Sequence, residues 1–133
     1  MNPLFGAIGI AGTGVTVYRK WLDAVSDNIA NINTVTSTSG DAFRARYVMA
    51  QPASDGNGAE VAGAAWGSKE GRLDYQPDHP LADKEGYVRL PDIDLSSQMS
   101  QLIMAQRAYQ ANLAVVDRAR TAYESALQLG RNV

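Results

Sequence analysis

The chain has 133 residues, 45% hydrophobic and 20% charged, with a formal net charge of -2 and no cysteine. That length holds one ordinary domain, or two long helices with a modest insert, and the composition argues against wholesale disorder. The mild acidic balance offers no broad basic surface to a phosphate backbone, so nucleic acid is not expected as a partner, and disulfides, thiolate nucleophiles and cysteine zinc sites are excluded.

Near the N-terminus, Leu4, Ile8, Ala11, Val15, Tyr18, Leu22, Val25, Ile29 and Ile32 follow one another by alternating steps of four and three. That spacing predicts a helix carrying a coiled-coil seam, about 42 Å long at about 1.5 Å per residue. Gly6, Gly9, Gly12 and Gly14 weaken its start, since each costs about 1 kcal/mol relative to alanine inside a helix. They do not make a phosphate loop, because no strand precedes them and the Gly-Lys-Ser/Thr ending is missing. Arg19 and Lys20 follow the apolar stretch, whereas a cleavable signal peptide carries its basic residues in front. No uncharged apolar run approaches the roughly 20 residues that span a bilayer, so direct membrane insertion is not expected.

The segment from Thr34 to Gly40 is rich in β-branched and hydroxyl side chains, which favour leaving the helix after Asn31 and Asn33. Phe43, Ala45, Tyr47 and Met49 then alternate with Arg44, Arg46, Val48 and Ala50, and Glu60 to Trp66 is a second apolar-leaning run. Asp55-Gly56-Asn57-Gly58 joins them with two strong turn dipeptides, which predicts a β-hairpin. Short runs at Arg72 to Tyr75 and Tyr87 to Leu90 flank Pro77-Asp78-His79-Pro80 and are expected to add to a small sheet. His79, the single histidine, reads as a turn residue, and no nucleophile is placed beside it by the sequence. Trp21 and Trp66 read as packing residues of the core.

Pro91 bars a helix upstream, and Asp92 or Asp94 suits the cap of a C-terminal helix. Asp92, Asp94 and Ser96 match the first ligand positions of an EF-hand loop, but Ser97 stands for its glycine and Ile103 for its glutamate, so no calcium site is expected. Leu95, Met99, Leu102, Gln106, Tyr109, Leu113, Val116, Arg120, Tyr123 and Leu127 again step by four and three, and Gly130 suits a helix stop. A stripe of Ala108, Ala111, Ala119, Ala122 and Ala126 widens the apolar face, while Asp117, Arg120 and Glu124 stand at ion-pair spacing. From Leu95 to Val116 the only formal charge is Arg107. The glutamine-rich flank fits burial in an assembly or an ordinary helix surface, and Gln106 and Arg120 are either register-fixing polar seam residues or end effects.

Together these elements predict a mainly α fold with a small β insert. A helix within residues 1–33 and another within 93–133 pair as an antiparallel coiled coil to form one helical domain, around a turn-rich, hairpin-containing insert at 34–92. Paired in this way, the helices keep further apolar stripes for neighbours, and head-to-tail contacts that do not close build helical tubes.

The segment Ser26-Asp27-Asn28-Ile29-Ala30-Asn31-Ile32-Asn33-Thr34 resembles the asparagine-rich end of the first helix in flagellar rod and hook proteins. Ala105-Gln106-Arg107-Ala108-Tyr109-Gln110-Ala111-Asn112-Leu113 resembles that family's C-terminal signature, and Ala126-Leu127-Gln128-Leu129-Gly130 its ending. Asp78-His79-Pro80-Leu81-Ala82-Asp83 with Glu85-Gly86-Tyr87-Val88 resembles a stretch particular to the C-type subunits of the proximal rod. The chain departs from the pattern at Pro91-Asp92-Ile93-Asp94, Gln98-Met99 and Ala42-Phe43.

The resemblance implies a structural subunit of the bacterial flagellar basal-body proximal rod, exported through the flagellar type III export apparatus without a cleaved signal peptide and assembled across the periplasm into a torque-transmitting axial tube. Implied partners are copies of itself, other proximal-rod proteins, the rod-to-base adapter protein and the membrane-embedded ring of the basal body. The expected assembly interface comprises Leu4, Ile8, Val15, Tyr18, Leu22, Val25, Ile29, Asn31, Met99, Leu102, Gln106, Tyr109, Asn112, Leu113, Val116, Tyr123 and Leu127. No catalytic, cofactor-binding or metal-binding residue is expected. Two competing readings are a helical adaptor or chaperone of a type III secretion system, and a small enzyme using His79 with a nearby carboxylate.

Overall fold

The fold is seen in a computed structural model, which describes residues 3–131; the side chain of Leu4 also lies outside the described residues. In chain order the elements are α1 (Pro3–Ala30), β1 (Arg46–Pro52), β2 (Ala59–Trp66), β3 (Arg72–Tyr75), β4 (Tyr87–Leu90) and α2 (Leu95–Arg131). Mainly helical with small antiparallel hairpins between the helices, the architecture agrees with the fold class expected from the heptads and turn dipeptides. Among the described residues no helix is long and apolar enough to cross a membrane.

α1 runs unbroken through its glycines because one of its faces is held by tertiary packing, which outweighs propensity. Gly14 faces α2 so closely that a Cβ there would stand 2.9 Å from Asn112 Oδ1. The helix ends at Ala30, where the Asn31 side chain turns back to donate to the Asp27 carbonyl and Thr34 N–H closes a turn on Asn31 O at 3.0 Å. At the other end of the insert, Asp94 Oδ2 accepts from Ser97 N–H at 2.9 Å, so Asp94 is the cap of α2.

The two helices lie antiparallel: Phe5 meets Tyr123 edge-on with ring centroids 5.1 Å apart, and Trp21 Nε1–H reaches Gln101 Oε1 at 3.4 Å. α2 has 37 residues against 28 for α1, so it outruns its partner, and residues 124–131 are exposed throughout. Gly130 does not stop the helix, which continues to Arg131. A glycine ends a helix by adopting the left-handed conformation, and Gly130 is not among the residues with positive φ. Arg120 pairs with Glu124 at 2.9 Å rather than with Asp117.

The hairpin of β1 and β2 has the expected turn, with Asn57 N–H bonded to Asp55 Oδ1 and Gly56 and Gly58 at φ 75° and 106°. Its register runs from Arg46↔Trp66 to Pro52↔Ala59, with a bulge between Met49 and Ala50. β3 and β4 pair with each other and with neither strand of the hairpin, so the insert holds two separate two-stranded sheets where the sequence suggested one. The break lies at residues 67–71, where Ser68 Oγ accepts from Glu70 and Gly71 N–H and Gly71 turns the chain at φ 59°. Arg89 ties β4 down: its backbone exchanges two hydrogen bonds with Thr36, and its guanidinium donates to Glu70 O and Thr38 O.

The buried apolar side chains are mostly small. Ala11, Val17, Ala24, Val25 and Ala105 lie along the helices, and Ala42, Ala45, Val88 and Leu90 lie in the insert. Trp66 is not among them: it is 55% exposed at the end of β2, with the Arg44 guanidinium 6.0 Å from its ring. Trp21 is half-buried against α2.

Candidate assembly surface

Packing α1 against α2 sorts the residues of α2 into an inward and an outward set. The inward positions are Gln98, Leu102, Ala105, Tyr109, Asn112, Val116, Ala119 and Tyr123, all buried or half-buried and again spaced by steps of four and three. Four of the ten residues of the heptad expected from the sequence are therefore inside, namely Leu102, Tyr109, Val116 and Tyr123. The other six, Leu95, Met99, Gln106, Leu113, Arg120 and Leu127, are rotated out to solvent.

Gln106 and Arg120 thus do not fix the register of the helix pair. Where Gly14 of α1 comes close to α2, the residue facing it is Asn112, whose flat amide fits the short distance. Of the large apolar residues that suggested the seam, Leu95, Met99, Leu113 and Leu127 are left outside. Met99, Ile103 and Leu113, 43%, 46% and 37% exposed, lie on one side of α2, and Met104 is 57% exposed.

On α1, Val25 is buried, and Ile8, Val15, Tyr18, Leu22 and Ile29 are half-buried. Asn31 is half-buried just beyond the helix, where its side chain closes the turn. A groove of about 510 Å³ opens where α1, the hairpin and α2 meet, lined by Ile10, Val17, Trp21, Val48 and Ala50 among others. Among the described residues, Tyr18 is the one ionisable residue on its wall. His79 sits in the turn after β3, its Nδ1 accepting from Leu81 N–H at 3.1 Å.

A buried amide network missed by the pattern reading joins the three parts. Asn28, 1% exposed, accepts from Arg46 N–H through Oδ1 at 2.8 Å, and donates through Nδ2 to Arg46 O and to Gln98 Oε1, each at 3.0 Å. Gln98 is 2% exposed. The available signal was that Asn28 and Gln98 occupy the inward sides of antiparallel helices at matching heights, but a search for apolar letters passes over amides. The neighbouring Arg46–Asp27 ion pair, at 2.6 Å, lies at the surface, where such pairs add little.

The family model described as "Flagellar basal body rod FlgEFG protein C-terminal" matches residues 84–129, which span β4 and nearly all of α2. The chain is 35% identical to the flagellar basal-body rod protein FlgC of Yersinia enterocolitica, over 96% of this chain and 98% of that protein. It is 32% identical to the protein of the same name from Borreliella burgdorferi, over 95% and 97%. To that of Agrobacterium fabrum it is 34% identical, over 97% and 96%.

Proposed function

This chain belongs to the flagellar basal-body rod protein FlgC family, and on that premise we propose how it acts as a structural rod subunit. The function is mechanical: copies join through the apolar residues that pairing of α1 with α2 leaves outside. The observation that carries this reading is the exposed run of Leu95, Met99, Ile103 and Leu113 on α2, together with the exposed end of that helix, including Leu127, beyond Tyr123. A monomer that leaves such a run in water gains by covering it, at roughly 25 cal/mol per Å² of apolar area. Because the run and the faces it meets differ, the contact is heterologous and propagates into a tube.

The interface consists of the α1 residues Leu4, Ile8, Val15, Tyr18, Leu22, Val25 and Ile29 with Asn31, and the α2 residues Met99, Leu102, Gln106, Tyr109, Asn112, Leu113, Val116, Tyr123 and Leu127. The half-buried members act by holding the helix pair in shape, and the exposed ones by direct contact. The partners are copies of the chain, the other proximal-rod proteins, the rod-to-base adapter protein and the membrane-embedded ring. The rod crosses the periplasm and transmits torque, and the subunit reaches it through the flagellar type III export apparatus without a cleaved signal peptide. It acts without catalysis, cofactor or metal. The adaptor or chaperone reading is not favoured, since the full-length relatives are rod proteins.

Deletion of the gene in its host tests the assignment. Loss of flagella and motility, restored by the intact chain, is the expected outcome; a deletion strain that still swims would contradict it.

A further inference from the structure

We propose that Asn28 is a positioning residue that makes the placement of the β1–β2 hairpin on α1 conditional on the pairing of α1 with α2. Few apolar side chains hold the hairpin in place, chiefly the half-buried Tyr47 and Val48. Every residue of β2 after Ala59 is exposed, and in β1 residues 49–52 are exposed. Near its tip, Ala59 N–H donates to Thr13 Oγ1 at 3.1 Å, and the hydroxyl in turn donates to Ile10 O at 2.7 Å. At its base, both polar groups of the Arg46 peptide are taken by the Asn28 side chain.

An asparagine amide has one carbonyl oxygen and two N–H donors. All three functions are used here: the oxygen and one donor on Arg46, the other donor on Gln98 Oε1. With α2 in place, Gln98 satisfies the last donor and helps exclude water, so nothing competes for the Arg46 bonds. With α2 away, Asn28 is hydrated and those bonds compete with water, which leaves only a small net gain. One amide group therefore reports helix pairing to the hairpin. The consequence is that the hairpin takes its fixed direction only in a chain whose terminal helices have met.

The test uses the absence of cysteine from the chain. In cells producing the full-length protein, Ile10→Cys with Ala59→Cys, two side chains that line the same groove, reads hairpin placement through a short bifunctional thiol reagent, and Phe5→Cys with Tyr123→Cys reads helix pairing. Gln98→Met keeps length and helix propensity but removes the acceptor. It is expected to lower the linked-to-unlinked ratio of the hairpin pair about tenfold, the size of one lost buried hydrogen bond, while leaving the helix pair linked. Asn28→Ala should do the same, and the double variant should lose little more. Gln101→Ala, which removes the bond from Trp21, should leave the hairpin linked. The proposal is overturned if Gln98→Met leaves the hairpin pair unchanged, if both pairs are lost together, or if Gln101→Ala has the same effect. These linkages are within one chain, so they stand or fall separately from motility.

Discussion

Gly71 shows how a single residue can carry more than its size suggests. It turns the chain at φ 59°, and a Cβ there would run into the Leu90 carbonyl oxygen and Ala42. Gly71→Ala should cost about 1–3 kcal/mol for the strained backbone alone, read as a lower denaturant midpoint of the purified chain. Asp83 is a second such position. Its carboxylate accepts from Tyr87 N–H at 2.8 Å and Glu85 N–H at 3.0 Å, and the Tyr87 bond first of all holds its pKa below the ordinary value. Since the folded value is the lower one, the stabilisation is present above the unfolded value and is lost as pH falls through the folded one. The protection factor of the Tyr87 amide, its exchange rate relative to an unstructured amide at the same pH, should therefore fall on acidification, and Asp83→Asn, which keeps an oxygen acceptor but does not titrate, should remove that pH dependence.

At the scale of the elements, the two sides of α2 have separable roles. Ala105 is fully buried against α1, and Ala105→Leu inserts volume where the backbones approach, at a cost of about 1–3 kcal/mol visible in thermal unfolding. Leu113, 37% exposed, touches solvent, and Leu113→Arg should leave unfolding within about 0.5 kcal/mol yet abolish motility. If Leu113→Arg left motility intact, the outward side of α2 would not be the assembly face. The spacing of four and three was legible in the sequence for both helices, and four of the inward α2 positions could be read from it. The rest could not, because two overlapping heptads fit the same letters, and the choice between them rests on how closely the backbones approach at Gly14.

For the whole molecule, the overhang of α2 distinguishes what the chain needs to fold from what it needs to assemble. Residues 124–131 extend beyond Phe5, the first described α1 side chain seen against α2, and are exposed. A chain truncated after Tyr123 should unfold within about 0.5 kcal/mol of the intact one but fail to restore flagella to the deletion strain. Restoration by the truncated chain would assign assembly to the remaining surface.

Local chemistry decided much of this protein in advance. The heptads, the Asp55–Gly58 turn, the cap before Leu95 and the flanking strands are all encoded within a few residues of where they act. The same sequence carried the motifs of a rod protein, and full-length relatives agree with them. What only the tertiary structure decided is the rotation of α2 that hides Ala105 and exposes Leu113, the division of the insert into two sheets, and the meeting of Asn28, Arg46 and Gln98. Those depend on surfaces brought together from distant parts of the chain, where backbone distance and amide geometry, rather than hydrophobicity along the sequence, set which side chains go inside.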